Sequence, residues 1–272
     1  MSNVQAEISE RLDQIERTHD VRILYACEAG SRVWGFNSAD SDYDIRFIYI
    51  HRPEWYLHIN QQSHRQTIQA PIEGVFDFSG WDIRKALCLL NSSNPSLLEW
   101  ARSPIVYRQD TDFFAGFMEH VEACTSIIRL RHHYLGMAET AFGQIRDRVT
   151  CSRKSYLYAL RGLLVSFWFE QQLGQPPLDF SVLLACADST IPTEVNHLIR
   201  TLLHDKVAGF EKDTIPTIPL LNTFIIAEFA RLKKTALPSE PQHQSKLEQL
   251  NELFLRHAYV GLKPEEGTAN NG

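Results

Sequence analysis

Apolar positions along the chain change their spacing several times, and each change marks an element. Ile8, Leu12 and Ile15 recur at helical intervals with charged residues between them, which predicts an amphipathic helix at the N-terminus. The run "VRILYACEAGS", residues 21–31, is short, apolar and ends in a glycine, and "YDIRFIYI", residues 43–50, is a second such run closed by Pro53; both read as strands. Between them "SRVWGFNSADSD" holds Gly35, Asn37, Ser38 and Asp40, enough turn formers for a short helical turn and then a loop.

Residues 61–69 are polar and weakly patterned, and then "PIEGVFDFSGW" reads as a third strand. A helix follows from near Gly80 to about Asn91, stopped by Asn94-Pro95. "SLLEWA" adds one more helical piece, and "SPIVYRQD" reads as an extended connector because of Pro104. Beyond it the pattern becomes helical in long stretches, broken at Gly174, Pro176, Pro177 and Pro192, which predicts an all-α second half. The expected organisation is α+β: a first domain over 1–107, a helical domain over 108–260 and a frayed tail over 261–272.

Composition narrows the class without naming a function. The 272 residues suit one large or two ordinary domains, and 44% hydrophobic with 22% charged residues is ordinary for a globular chain. A net charge of -6 argues against a protein built to wrap nucleic acid, though it leaves room for a local basic face. The five cysteines contain no C-x-x-C pair, so reduced thiols in a cytoplasmic protein are expected. No signal peptide and no membrane-spanning run is apparent.

Candidate chemistry concentrates in "EAGSRVWGFNSADSDYDIRFIY". Asp42 and Asp44 stand two apart, so a strand would project both from one face with Tyr43 opposite, and their repulsion is relieved if a cation binds. Magnesium, or manganese in its place, suits such oxygen ligands and leaves positions for phosphate oxygens. Gly30 and Ser31 form a turn whose backbone amides suit an anion, and Arg32 adds charge. A third carboxylate is expected from Asp77, flanked by Phe76 and Phe78, with Glu73 and Asp82 as competitors.

These motifs carry a resemblance. "GSRVWG" followed by "DSDYDIRF" and an isolated strand aspartate resembles the DNA polymerase beta type nucleotidyltransferase superfamily. With "PEWYL", "SGWDIRKAL", "NPSLLEW" and "SPIVY" the chain is similar, more narrowly, to the RNA-repair-pathway polymerase-beta-like family. The resemblance implies a mixed sheet with helices on it, phosphate on Gly30 and Ser31, and metal on Asp42, Asp44 and Asp77. It implies transfer of a nucleoside monophosphate from an NTP such as ATP to an acceptor hydroxyl, an RNA end for instance. Alternatives are nucleotidylation of a protein or small molecule, and a silent nucleotide- or partner-binding module.

Elsewhere, Lys154, Tyr158 and Arg161 share one helix face and are expected to look across the cleft toward the nucleotide. His132 and His133 point about 100° apart on a helix, which argues against both serving one site. Trp34, Trp55, Trp81 and Trp100 are expected to pack, with nothing in their spacing to mark a base platform.

Overall fold

The structure, a computed structural model, describes residues 3–59, 65–72, 74–209, 214–237 and 246–259. Glu73 and the expected tail over 261–272 lie outside them. Among the described residues no helix is long and apolar enough to cross a membrane.

The stripe predicted near the N-terminus forms helix α1 (Asn3–His19), with Ile8, Leu12 and Ile15 all buried. Each such side chain contributes about 1.5–3 kcal/mol by leaving water. They cover one face of a five-stranded mixed sheet made of β1 (Val21–Ala29), β2 (Tyr43–His51), β3 (Thr67–Gln69), β4 (Phe76–Asp82) and β5 (Val106–Gln109). The strand order is β3-β4-β2-β1-β5, with β2 and β4 parallel and the other pairs antiparallel. Chain direction therefore reverses between β1 and β2, and β4 keeps the direction of β2. The crossover joining β2 to β4 contains α2 (Pro53–Tyr56) and β3.

The sheet's second face packs on α3 (Ile83–Asn91), α4 (Pro95–Ala101), α5 (Thr111–Cys124) and, later in the chain, the last helix, and beyond this layer lie α6 (Ile127–Gly143), α7 (Arg153–Glu170), α8 (Phe180–Cys186), α9 (Thr193–Val207) and α10 (Pro219–Lys234), that last helix being α11 (Leu247–Ala258). Both faces are covered, which is why β1 and β2 are apolar on both sides. Phe76, Phe78 and Gly80 alternate toward α1, while Asp77, Ser79 and Trp81 face the helices. A side chain on Gly80 would meet Phe47 at 2.1 Å, so that position takes only glycine.

Several boundaries differ from the pattern reading, each for a local reason. Asn94 begins α4 rather than merely ending α3: its side chain accepts from the Leu97 N–H at 3.1 Å, with Pro95 in the first turn. The long helical pattern after residue 111 breaks at Thr125, because Ser126 caps α6 by accepting from the Arg129 N–H. The segment read as a connector contributes β5 to the sheet edge, and a two-stranded ribbon of β6 (Thr150–Ser152) and β7 (Thr214–Pro216) interrupts the helical half.

The α+β class expected from the sequence is the one adopted. Beside the cluster between α1 and the sheet, one larger hydrophobic cluster runs continuously from Leu24 in β1 to Ala258 in α11. Buried Lys206 of α9 reaches back to donate to Ser41 Oγ at 3.3 Å, tying the helical half to the loop before β2.

Candidate active site

Strand pairing assembles the aspartates. In the parallel ladder of β2 and β4, Asp44 lies directly beside Asp77. Both face the helices, since their neighbours Ile45, Phe76 and Phe78 pack toward α1. The guanidinium of Arg46, two residues along β2 and on the same face, stands between them. Its Nη2 donates to Asp44 Oδ1 and to Asp77 Oδ2, each at 2.8 Å. Its Nη1 donates to the backbone carbonyls of Asp77 at 2.9 Å and Ile45 at 3.1 Å. Asp77 Oδ1 is buried and has no hydrogen-bond partner among the described residues.

The carboxylates differ in setting. Burial raises the Asp44 carboxyl above its ordinary value, Asp77 and Asp42 push the same way, and Arg46 and Lys154 pull it down. Asp42 sits exposed one residue before β2, outside the strand in which alternation would have aimed it with Asp44. Its charge still reaches Asp44. Among the described residues no three His, Cys, Asp or Glu side chains stand together as a ready metal cage. The competitor Asp82 is committed elsewhere. Fully buried, it caps α3 through the Arg84 N–H at 2.9 Å and accepts from Tyr56 Oη at 2.7 Å.

Gly30 opens a single 3-10 turn, Gly30–Arg32, at the end of β1. Its φ of +65° is a left-handed conformation, and a Cβ there would stand 2.2 Å from Asp44 Oδ2. Glycine is thus required twice at this point, and the turn touches the carboxylate. Ser31 is buried beside it. Arg32 turns the other way: its guanidinium lies 3.6 Å over the Tyr43 ring and donates to the carbonyls of Ser41 and Asp42, which orders the loop carrying Asp42. Beneath the turn, fully buried Glu28 accepts from the Asp44 N–H at 2.8 Å and from the Tyr107 hydroxyl, fixing the start of β2.

A hollow of about 230 Å³ lies over these groups, lined in part by Gly30, Asp44, Arg46 and Ser79. It shares Trp34, Met137 and Tyr158 with a larger cavity of about 910 Å³ between α6 and α7. Lys154 and Tyr158 line that cavity on the side of Asp44, whose charge also lifts the Tyr158 hydroxyl in addition to the main effect of burial. Arg161 belongs to its wall, but its guanidinium pairs with Glu99 Oε1 at 2.7 Å and lies 4.4 Å over Trp34. Glu99 also accepts from Tyr134 Oη at 2.6 Å and Trp34 Nε1 at 2.9 Å, so a buried polar cluster joins α4, α6 and α7 to the glycine turn's helix.

Sequence reasoning did not single out Arg46, Glu28, Glu99 or Met137. Arg46 carried a signal, since D-x-D-x-R puts the arginine on the same strand face as the aspartates. His132 and His133 both line the large cavity, which is wide enough to receive side chains about 100° apart.

The donor set fits a divalent cation. Asp44 and Asp77 are already bridged by positive charge, Asp77 Oδ1 is a buried acceptor without a donor among the described residues, and the missing Cβ of Gly30 lets the turn's backbone lie directly against the Asp44 carboxylate.

Comparison with known proteins shows the family. The family model described as RNA repair pathway DNA polymerase beta family, RlaP, matches residues 4–256. The uncharacterized protein YcgL of Bacillus subtilis (strain 168) is 36% identical over 265 residues, covering 93% of this chain and 95% of that protein. A crystal structure of a nucleotidyltransferase-like protein from Exiguobacterium sibiricum 255-15 aligns over 94% of this chain and 90% of its own, with a TM-score of 0.32 and 9% identity, too distant to carry an argument.

Proposed function

The chain belongs to the RNA repair pathway DNA polymerase beta family and is a polymerase beta type nucleotidyltransferase, and from that premise we propose that it transfers a nucleoside monophosphate from an NTP to an acceptor hydroxyl at Asp42, Asp44 and Asp77. The observation that carries this reading is the pairing of Asp44 with Asp77 in register, against a glycine turn that touches Asp44.

Asp42, Asp44 and Asp77 would hold magnesium, or manganese in its place. Such an ion neutralises phosphate charge and lowers the pKa of a bound hydroxyl. The remaining work falls to the protein. Gly30 and Ser31 receive phosphate oxygens, and Lys154 faces the same region from α7 with its positive charge. The nucleoside extends past Trp34, Met137 and Tyr158 into the cavity between α6 and α7. An acceptor hydroxyl attacks the α-phosphorus in line as the bond to the bridging oxygen of the β-phosphate breaks. Asp77 Oδ1, the buried oxygen without a donor, takes the hydroxyl proton, and pyrophosphate leaves. Arg161, engaged by Glu99, shapes the cleft wall. A reducing, cytoplasmic setting, read from five cysteines without a C-x-x-C pair, belongs to the same proposal.

The test is transfer from α-labelled NTPs with magnesium to a panel of RNA ends, proteins and small hydroxyl compounds. Label incorporation that chelation or Asp77→Asn abolishes is the expected result. Incorporation into protein or small molecules alone would move the acceptor away from RNA. NTP binding without incorporation into any acceptor would identify a silent binding module.

A further inference from the structure

The bridge formed by Arg46 has a consequence for how a cation reaches the site. One nitrogen, Nη2, stands between Asp44 Oδ1 and Asp77 Oδ2 at 2.8 Å from each, where a cation shared by the two carboxylates would have to be. The guanidinium is held there by four acceptors, including the carbonyls of Asp77 and Ile45. Its side chain is only 19% exposed, with the carboxylates at 26% and 21%. An arginine keeps its charge throughout the physiological range, so it can be removed from between the carboxylates only by swinging, not by titrating. Two cations that close repel strongly in a half-buried setting, and the Asp44–Asp77 bridge therefore accepts one at a time.

Resting on the metal role of Asp44 and Asp77 proposed above, we propose that Arg46 is an internal competitor for the divalent cation. In the free protein it neutralises the Asp44–Asp77 pair and keeps uncomplexed metal out. A nucleoside triphosphate brings enough negative charge to the Gly30 turn to draw the guanidinium off the carboxylates. The cation is then admitted together with the nucleotide, as a metal–NTP complex. The short tether matters: Arg46 is two residues from Asp44 on the same strand face, so it remains at the rim of the hollow it shares with Gly30 and returns when the nucleotide leaves. Arg46 is on this account a gating residue for metal binding, distinct from the ligands themselves.

The test is manganese binding to the whole protein, read by electron paramagnetic resonance with and without an NTP analogue whose α,β-bridge is a methylene group. Wild type should bind Mn2+ weakly alone and at least tenfold more tightly with the analogue. Arg46→Gln should bind Mn2+ alone at least tenfold more tightly than wild type and lose most of the dependence on the analogue. It should also melt below wild type in chelator and gain more in Tm on adding Mn2+, because the two carboxylates then face each other without a cation. Arg46→Lys, which keeps a charge on the same strand face, should stay weak. Equal Mn2+ affinity of wild type and Arg46→Gln without nucleotide would overturn the gate while leaving the metal site in place, and weaker binding by Arg46→Gln would instead make Arg46 an orienting group. If Arg46→Gln does not fold, wild type alone decides: tight Mn2+ binding without the analogue overturns the gate. Binding by neither protein, with or without the analogue, would overturn the metal reading and the gate together.

Discussion

Breaking the Glu99–Arg161 pair should lower stability by an amount that depends on which partner is removed, and the two losses should not add. The pair is well buried, with side chains 11% and 4% exposed at an Nη1–Oε1 distance of 2.7 Å. Removing one member of a buried pair costs about 3–5 kcal/mol, because the other charge is left without its partner. Arg161→Met leaves the Glu99 carboxylate still receiving Tyr134 Oη and Trp34 Nε1, so its loss belongs near the lower end, about 3 kcal/mol. Glu99→Leu strands the guanidinium, whose Nε and Nη2 already lack partners among the described residues, and orphans both neutral donors as well. Its loss belongs at about 5 kcal/mol or above, since each orphaned donor adds about 1–3 kcal/mol. In the double variant both charges are gone, so its loss should fall short of the sum by about 1–3 kcal/mol. Urea unfolding of the four proteins, followed by circular dichroism, gives the cycle directly. Additive losses, a larger loss for Arg161→Met than for Glu99→Leu, or any single loss below about 1 kcal/mol would refute the reasoning.

Gly30→Ala should cost about 1–2 kcal/mol for the left-handed backbone and lower transfer about 100-fold by displacing Asp44; wild-type turnover in this variant would break the link between the turn and the carboxylate. Burial holds the His257 imidazole below its ordinary 6.5, against the pull of Asp110 and Asp112 and with Arg22 and Arg256 adding to the depression. The native state thus binds a proton less readily than the unfolded chain, and the stability from this residue is complete above 6.5 and drains away as pH falls through the lowered native value. His257→Leu should therefore gain on wild type between about pH 7.5 and pH 5.5 in urea midpoints, and parallel curves would exclude the histidine as the source. The core shared from β1 to α11 predicts one thermal transition for the two proposed domains, with two separated calorimetric peaks as the contrary result.

Much of this could be read from residue order, and what could not was mostly a matter of neighbours. The stripe of Ile8, Leu12 and Ile15 and the apolar runs of β1 and β2 declare themselves because each is a local pattern. Thr67–Gln69 and Val106–Gln109 are too short for a pattern of their own and are strands only because β4 and β1 offer edges. The same is true of the β6 and β7 ribbon, whose partners lie far apart in sequence. For the site, the placement of Asp77 beside Asp44 depends on a parallel register that no spacing encodes, though the apolar flanks of Asp77 marked it as unusual. Lys154, Tyr158 and Arg161 do share a helix face, yet Glu99, to which the sequence assigns no role of its own, takes the arginine. Charge alone points Arg32 toward phosphate, while its ring partner Tyr43 and the carbonyls of Ser41 and Asp42 engage it in the structure.

The most direct test of metal-dependent nucleotidyl transfer at these aspartates is a crystal structure with Mn2+ and a non-hydrolysable NTP, with manganese located by anomalous scattering. The account predicts manganese within coordination distance of Asp42, Asp44 and Asp77, phosphates against Gly30 and Ser31, and the nucleoside directed toward Tyr158. Manganese and triphosphate bound elsewhere, with Arg46 still bridging Asp44 and Asp77, would contradict it.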